Sequence, residues 1–537
     1  MGDMKLAAVV LVAAPVFGED WPRFRGPNGS SVGSSSNLPV EFSAEKNLAW
    51  RAPVPFSKSS PIVVGGRVFL TAVEGNKLVT LALDANTGRT LWRRDIDRPR
   101  AQAIYRLNDP ASPTPAASRE EIFVFFPDLG LVSYTLDGEE RWRHPLGPFR
   151  NFYGQAASPL VEGGSVVLNC DQQSGSYLLA VDSNTGRQRW KTERPGIAFG
   201  WATPIIYAPA KGAKQVIVFS SNRVESFSLA TGERRWWLPV ASDGSMGSPV
   251  IAGDILFIHA NGHDQPMFPP WEKFAAAYDK DKDGRVSRAE FQAFEGFAEH
   301  FGWVDDNGDG FVDAKEWAAV YSFGSGDNGL MAIALGADGQ LPSAAIRWRL
   351  KRNLPYIAAP VLYLDVLTMV RTGGVVTSVN PATGEIVKQG RAGEALGEYF
   401  AQPVAADGKL FLASEPGKIA VLKAAGEWEV LAVNDLKEEI YATPAVAGGS
   451  IIVRTREALY CFRRAYLIAA DVKPGGRCYC HYLQKFAPRH AHHANVRNRA
   501  PVARVPGKTL FSKPATFCSP AIAGRSDTRQ RGRFDRA

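Results

Sequence analysis

The sequence predicts an all-β protein, an eight-bladed β-propeller of four-stranded blades with a small α-helical insertion in blade five. Three observations predict it. The first is a repeated hairpin. Leu78 to Trp92, LVTLALDANTGRTLW, alternates apolar with small or polar residues on both sides of Asn86-Thr87-Gly88 and reads as two strands joined by a tight turn. Gly88 can take φ > 0 there, and the Asp84 carboxylate can accept from the turn's backbone N–H groups. Trp92 follows the glycine by four residues, and the same offset joins Gly138 to Trp142, Gly186 to Trp190, Gly232 to Trp236 and Gly384 to Lys388. A period of roughly 40 to 50 residues points to propeller blades. The second observation fixes the count at eight: a residue and proline open an alternating strand at Ser60-Pro61, Thr114-Pro115, Ser158-Pro159, Thr203-Pro204, Ser248-Pro249, Ala359-Pro360, Gln402-Pro403 and Thr443-Pro444. The third concerns closure. The last unit stops at Ala458 to Phe462 without a fourth strand, while Leu48 to Arg51 lies unpartnered ahead of the first, so the two are expected to pair and remove the open edges.

In chain order, residues 1–18 read as a cleaved secretory signal: Lys5, an apolar run from Leu6 to Phe17, and small residues before Gly18. That run is too short to span a bilayer, so no transmembrane segment is expected. The expected product is exported, periplasmic or extracellular, and monomeric. Asp20 to Pro27 is expected to brace the blades, and residues 19–462 to form the propeller. Residues 463–537 carry 16 Lys and Arg against 3 Asp and Glu, net +13, which leaves −5 for the preceding residues out of a total of +8. The basic pI thus belongs to the tail, and no nucleic-acid role is expected of the propeller. The tail itself reads as disordered, with a shifted reading frame beyond Phe462 as the open alternative. Of the five cysteines, Cys170 and Cys461 fall in strands of different blades and are expected to be buried free thiols.

The pattern A-x-D-x-x-T-G-x-x-x-W at Ala82–Trp92 and Ala180–Trp190 resembles the tryptophan-docking motif of the quinoprotein-like, PQQ-type β-propellers, over about residues 20 to 462. It degenerates elsewhere, with Lys388 at a tryptophan position and a shortened turn before Trp428. The resemblance implies the eight-bladed fold and two activities that fold alone does not separate: PQQ-dependent alcohol dehydrogenases and cofactor-free scaffolds such as the Bam-complex propeller. The adjacent cysteine pair that the dehydrogenases place beside their quinone is missing, and no position matches their catalytic aspartate or their calcium-binding Glu-Asn-Asp set.

The tryptophan spacing, even as far as Trp236, then more than doubles, which puts an insertion at about residues 265–325. It holds two twelve-residue EF-hand loops. The first offers Asp279, Asp281, Asp283, the Arg285 carbonyl, Ser287 and Glu290; the second offers Asp305, Asn307, Asp309, the Phe311 carbonyl, Asp313 and Glu316. The spacing follows from the ion. Ca²⁺ takes six to eight hard oxygens, and twelve residues wrap it only if glycine at position 6, here Gly284 and Gly310, turns sharply. Lys280, Lys282, Arg285 and Arg288 are expected to weaken the first site. Because only the short stretch from Phe291 to Val304 separates the loops, the intervening helices are expected to fuse with a bend at Gly296 or Gly302, which leaves the usual Val286–Val312 pairing open.

Weaker candidates are His259 with His263 and Asp264, and the tail's Cys478, Cys480, His481 and His490 to His493, whose spacing matches no zinc pattern. Aromatics precede several proline strands, Tyr153, Trp201, Tyr356, Tyr399 and Tyr441 among them; they are expected either to gather at the channel mouth as a site for a planar ligand or a protein partner, or to pack between blades. Two functions remain: a calcium-binding scaffold, or a PQQ-dependent dehydrogenase.

Overall fold

The computed structural model describes residues 20–464 apart from 103, 106, 107, 152, 241, 243–245, 263–265 and 324–328; the stretch expected to be a signal, the tail motifs, His263 and Asp264 lie outside the described residues. Eight four-stranded sheets follow one another along the chain. The first runs Ile62–Val64, Arg67–Glu74, Lys77–Asp84, Thr90–Asp97, each strand antiparallel to its neighbour. The eighth takes its outer strand from the start of the propeller: Leu48–Pro53 pairs with Ala458–Arg463, Trp50 opposite Cys461 and Ala52 opposite Leu459. In the fifth, the helical insertion separates the second strand, Ile255–Ala260, from the third, Gly329–Ala334, which pair in full register. The fourth gains a short parallel strand, Gly339–Gln340, beside Trp236 and Trp237.

The residues before the strand-opening prolines do more than precede a turn. Each donates its backbone N–H to the side chain of its counterpart in the next blade: Ser60 to Thr114 Oγ1 (2.9 Å), Thr114 to Ser158 Oγ (3.0 Å), Ser158 to Thr203 Oγ1 (3.0 Å) and Thr203 to Ser248 Oγ (3.2 Å). The chain of bonds resumes from Ala359 to Gln402 Oε1 (2.6 Å), Gln402 to Thr443 Oγ1 (3.0 Å) and Thr443 back to Ser60 Oγ (3.0 Å). Only the step from Ser248 is missing, because Ala359 has no side-chain oxygen.

A second belt lies further out. The tryptophans of five outer strands dock on the turn of the following blade, the ring over the turn glycine and Nε1 on a carbonyl there: Trp50 on Ala85 (3.0 Å), Trp92 on Leu136 (2.9 Å), Trp142 on Ser183 (2.8 Å), Trp190 on Leu229 (3.0 Å) and Trp348 on Pro381 (3.0 Å), whereas Trp236 donates to Gln215 Oε1 of its own blade (3.0 Å). Glycine is required because its Cα lies against the ring: at Gly88, φ +71°, a Cβ would sit 2.5 Å from Trp50. Trp428 departs from its expected place. Ala432, opposite Val421, holds the docking register, and Trp428 precedes the strand, in the turn, where it receives Lys388: the ammonium lies 4.7 Å from its ring centroid and donates to its carbonyl at 2.6 Å.

Antiparallel blades place the first–second hairpins and the Asn-Thr-Gly turns on one face, and the second–third hairpins and blade-to-blade crossings on the other. The insertion replaces a second–third hairpin and so belongs to the crossing face. The N-terminal segment covers the turn face. Trp21 exchanges two backbone bonds with Val63, Pro22 accepts from Ala117, the Asn28 amide brackets Ile206, and Ala405 bonds Ser31 and Gly33. Arg25, wholly buried, donates to the carbonyls of Ser248 and of Pro360, the residue after Ala359, and so spans the missing step; burial lowers its guanidinium to about 9. Cys170 and Cys461 are buried free thiols.

Ser158→Ala strands the buried Thr114 N–H and is expected to cost about 1–3 kcal/mol, and Trp50→Ala about 3–5 kcal/mol, both read by denaturant melts. Wild-type stability in either variant contradicts the ring of bonds or the strand closure.

Candidate metal centre

Four short helices frame the insertion: α1, Trp271–Tyr278; α2, Arg288–Phe291; α3, Phe301–Val304; and α4, Ala314–Phe323. The loops between α1 and α2 and between α3 and α4 fold alike because their carboxylates satisfy their own backbone. Asp279 Oδ2 accepts from Gly284 N–H (3.0 Å) and Asp305 Oδ2 from Gly310 N–H (3.1 Å), which closes the turn at position 6, where both glycines have φ near +90°. The Glu290 carboxylate accepts from Lys280 N–H (2.7 Å) with one oxygen and from Ser287 N–H (2.8 Å) and Oγ (2.7 Å) with the other, a reciprocal cap on α2. Glu316 repeats this on Asp306 (2.9 Å), Asn307 (3.1 Å) and Asp313 (3.0 Å).

Both loops therefore point the position-12 glutamate back over the position-1 aspartate, which is what a cation at the centre needs. Asp279, Asp281 and Asp283 each present a carboxylate oxygen within 4.8 Å of the others. Oxygens alone, many of them anionic, suit Ca²⁺ rather than a softer metal, and the residues present fit it. Hydrogen bonds from Ser287 and from the Lys280 and Asp281 N–H groups hold Glu290 down at about 2, whereas desolvation and the Asp313 charge raise Glu316. Of the expected antagonists, Arg285 reaches Asp283 at 3.4 Å and stacks 3.9 Å from the centroid of Phe311, and Arg288 lies 4.3 Å from that of Phe301.

The helices do not fuse. Gly296, at φ +76°, breaks the chain between α2 and α3, and the loops pair through a two-residue antiparallel ladder, Val286 opposite Val312 and Ser287 opposite Phe311. The short connection suffices because α2 and α3 are one turn each. An aromatic core supports the pair: Phe274 stacks on Trp317 with centroids 3.5 Å apart, ringed by Phe291, Phe294 and Phe268. What the sequence did not reveal is that this core continues into the propeller. Trp303 packs 5.7 Å from Phe199, which lies parallel to Trp201, and Tyr153 meets Trp201 edge-on at 5.5 Å. Gln173 bonds the Trp303 carbonyl and Arg150 lies 3.7 Å from Asp306.

The family profile described as outer membrane protein assembly factor BamB matches residues 31–197, 137–298 and 314–476. The chain belongs to this PQQ-repeat β-propeller family. An EF-hand profile matches residues 299–321. Among curated proteins the propeller is 25% identical over 300 residues to a polyvinylalcohol dehydrogenase of a Pseudomonas species, covering 44% of this chain and 46% of that one. It is 28% identical over 152 residues to the quinohemoprotein alcohol dehydrogenase ADH-IIG of Pseudomonas putida, covering 27% and 21%. The matched stretches thus span less than half of these relatives. The quinohemoprotein alcohol dehydrogenase of Comamonas testosteroni superposes with a TM-score of 0.50 at 11% identity, covering 84% of this chain and 82% of that one, a likeness of fold.

Whether this PQQ-repeat propeller offers a quinone site depends on its crossing-face aromatics and buried cations. PQQ is planar and anionic, and needs a free ring face and unpaired positive charge. Trp201 is covered by Phe199 and Tyr153 and donates its Nε1 to Gly154 (2.9 Å). Tyr399 is buried in the seam of blades six and seven, with its hydroxyl on the Ala395 carbonyl. Tyr441 packs against Phe400 and Phe56 and donates to Glu415 (2.9 Å), and Tyr356 is 62% exposed. Arg194, fully buried, is committed to Asp171 and Glu225, with Asn169 and Ser220 completing its shell. Burial raises Asp171, the effect of desolvation exceeding that of Arg194. Trp201, Tyr399, Tyr441 and Arg194 thus offer a quinone neither a free ring face nor an unpaired charge. His259, also buried, has neither ring nitrogen bonded and is lowered to about 4 by desolvation, as a neutral strand residue rather than a base poised near neutrality. Among the described residues no helix is long and apolar enough to cross a membrane.

In a metal-free NMR titration, the Glu290 carboxyl should titrate near pH 2 and Glu316 above the usual glutamate range. Because the folded value of Glu290 lies below the unfolded one, its stabilising effect is present above about pH 4.5 and is lost as pH falls through about 2. Ser287→Ala should move the Glu290 midpoint up; an unchanged midpoint contradicts the cap.

Proposed function

We propose that the protein is an exported, calcium-binding β-propeller that acts as a binding scaffold, holding a protein partner or small ligand on its crossing face. The observation that carries this reading is the pairing of two EF-hand loops on an aromatic core shared with the propeller through Trp303, Phe199 and Trp201. Without metal, each loop crowds like charges together, and the partly desolvated Glu316 is disfavoured as an anion. Ca²⁺ bound by Asp279, Asp281, Asp283, Ser287 and Glu290, and by Asp305, Asn307, Asp309, Asp313 and Glu316, with the Arg285 and Phe311 carbonyls, removes that repulsion and fixes the helices. The ordered module then presents a defined surface beside the blade-three and blade-four crossings, and Tyr356, in the crossing from blade five to blade six, adds an exposed aromatic to the same face. Export supplies the setting, since calcium outside the cytoplasm fills even sites with dissociation constants of about 10⁻⁴ to 10⁻³ M.

The second reading, a PQQ-dependent dehydrogenase, is favoured by the names of the curated relatives and opposed by the coverage of Trp201 and the commitment of Arg194.

Calorimetric titration of metal-free protein with Ca²⁺ tests the reading. Two sites are expected, with Glu290→Gln and Glu316→Gln each removing one and leaving the propeller's melting transition in place. Calcium uptake unaltered by both substitutions contradicts it, and saturable binding of PQQ with a shift in the quinone absorbance would favour the second reading.

A further inference from the structure

On the turn face, remote from the EF-hand loops, the N-terminal segment and the innermost strands of blades two to five enclose an open pocket of about 410 Å³, within the range of small-molecule sites. The segment satisfies the axial edge of the innermost strands one residue at a time. Val63, Ala117, Ile206 and Ala405 occupy the same place, two residues after the strand-opening proline, and each bonds the segment. Val161 and Ile251 occupy that place in blades three and five with the same register to their second strands, Val161 opposite Val166 and Ile251 opposite Leu256 as Val63 is opposite Val68. Among the described residues, neither receives a bond from the segment, and both line the pocket. Two axial peptide edges thus stand open in one cavity.

Arg23 forms part of the wall. It is 7% exposed, donates from Nη2 to Asn28 Oδ1 at 2.8 Å, and has no hydrogen-bond partner for Nη1. No ion pair to it is found among the described residues, and its burial lowers it to about 10 despite the Glu162 charge. The other charged groups lining the pocket neutralise each other: Lys214 and Glu162 lie 2.5 Å apart. The lining therefore carries one uncompensated positive charge, a forked donor and main-chain N–H groups.

We propose that this pocket binds a small monocarboxylate, its carboxylate against the Arg23 guanidinium and its body over Val161, Ile206 and Ile251. One net positive charge suits a monoanion. A forked guanidinium matches the two oxygens of a carboxylate, and the apolar strand residues suit a short hydrocarbon or ring. The site is independent of calcium and of the scaffold reading.

Acetate and benzoate are the probes, with methylammonium as the charge-reversed control, titrated by calorimetry at neutral pH with calcium present and absent. Saturable binding of a monocarboxylate, none of methylammonium, and no dependence on calcium are expected. Arg23→Gln should weaken binding by about tenfold or more and Arg23→Lys by less, since the charge remains but the fork is lost. Glu162→Gln removes the wall's only carboxylate and frees Lys214, and should tighten binding severalfold; its side chain is one-third exposed and makes a single ion pair, so this variant decides the matter even if Arg23→Gln disturbs the segment. The proposal is overturned if neither monocarboxylate binds, if Arg23→Gln binds as wild type does, or if Glu162→Gln leaves affinity unchanged or weaker.

Discussion

The ring of backbone-to-side-chain bonds around the axis is the constraint on which the other features depend. A proline holds the preceding residue extended, so the N–H at each blade entrance points sideways toward the next blade and is buried there. A hydroxyl or amide from the neighbouring entrance satisfies it, and the same residue serves as donor and acceptor. Blades joined this way cannot be rotated or shifted singly without exposing an orphan donor, and the tryptophan docks farther out fix their tilt. The one missing bond falls between Ser248 and Ala359, the interval that contains the insertion. There Arg25 bridges the two entrances in another way, donating to the Ser248 and Pro360 carbonyls from the turn face. The N-terminal segment is thus part of the closure.

A rigid ring lets one hairpin grow into a module without disturbing the rest. The insertion replaces a single second–third hairpin whose flanking strands keep their register, so under the proposed calcium-binding role the loops would gain or lose a cation while the sheet beneath stays paired. Among the described residues, contact with the propeller is confined to one sector, through Arg150 and Tyr153 in the crossing into blade three, Gln173 in that blade's second–third hairpin, Phe199 and Trp201 in the crossing into blade four, and Met246 in the crossing out of it. Local loading and a local response follow from that confinement. The two faces accordingly differ, one carrying the EF-hand insertion and the other the N-terminal segment and its pocket.

Much of this was legible in the sequence. Hairpin period, proline count and closing strand are patterns of local chemistry, and the EF-hand loops are dictated by the ion's coordination. Partner identity was less legible. The Gly88–Trp92 offset looks like a feature of one hairpin, yet Gly88 receives Trp50 and Trp92 belongs to Gly138, which only the ring reveals. Trp428 misled because it follows Lys388 by 40 residues, the period of the repeat, while in the ring it receives Lys388 rather than docking onward. The helix fusion failed because usual helix lengths were assumed where one turn each was enough. The five crossing aromatics were noticed correctly, but sequence cannot show that Tyr153 and Trp201 face the insertion while Tyr399 is sealed in a seam. Hydroxyls before prolines read as turn residues, and their bonding partners lie a whole blade away along the chain, beyond any local pattern.

The central claim is that a calcium-responsive module sits on a calcium-indifferent ring and is coupled to it at two blades. Hydrogen exchange followed by mass spectrometry, with and without Ca²⁺, tests this directly. Protection is expected to rise across residues 271–321 and in the crossings that carry Tyr153 and Trp201, with the strands of blades one, two, six, seven and eight unchanged. Exchange that calcium leaves unaltered in the insertion, or that it alters equally in every blade, would contradict the account.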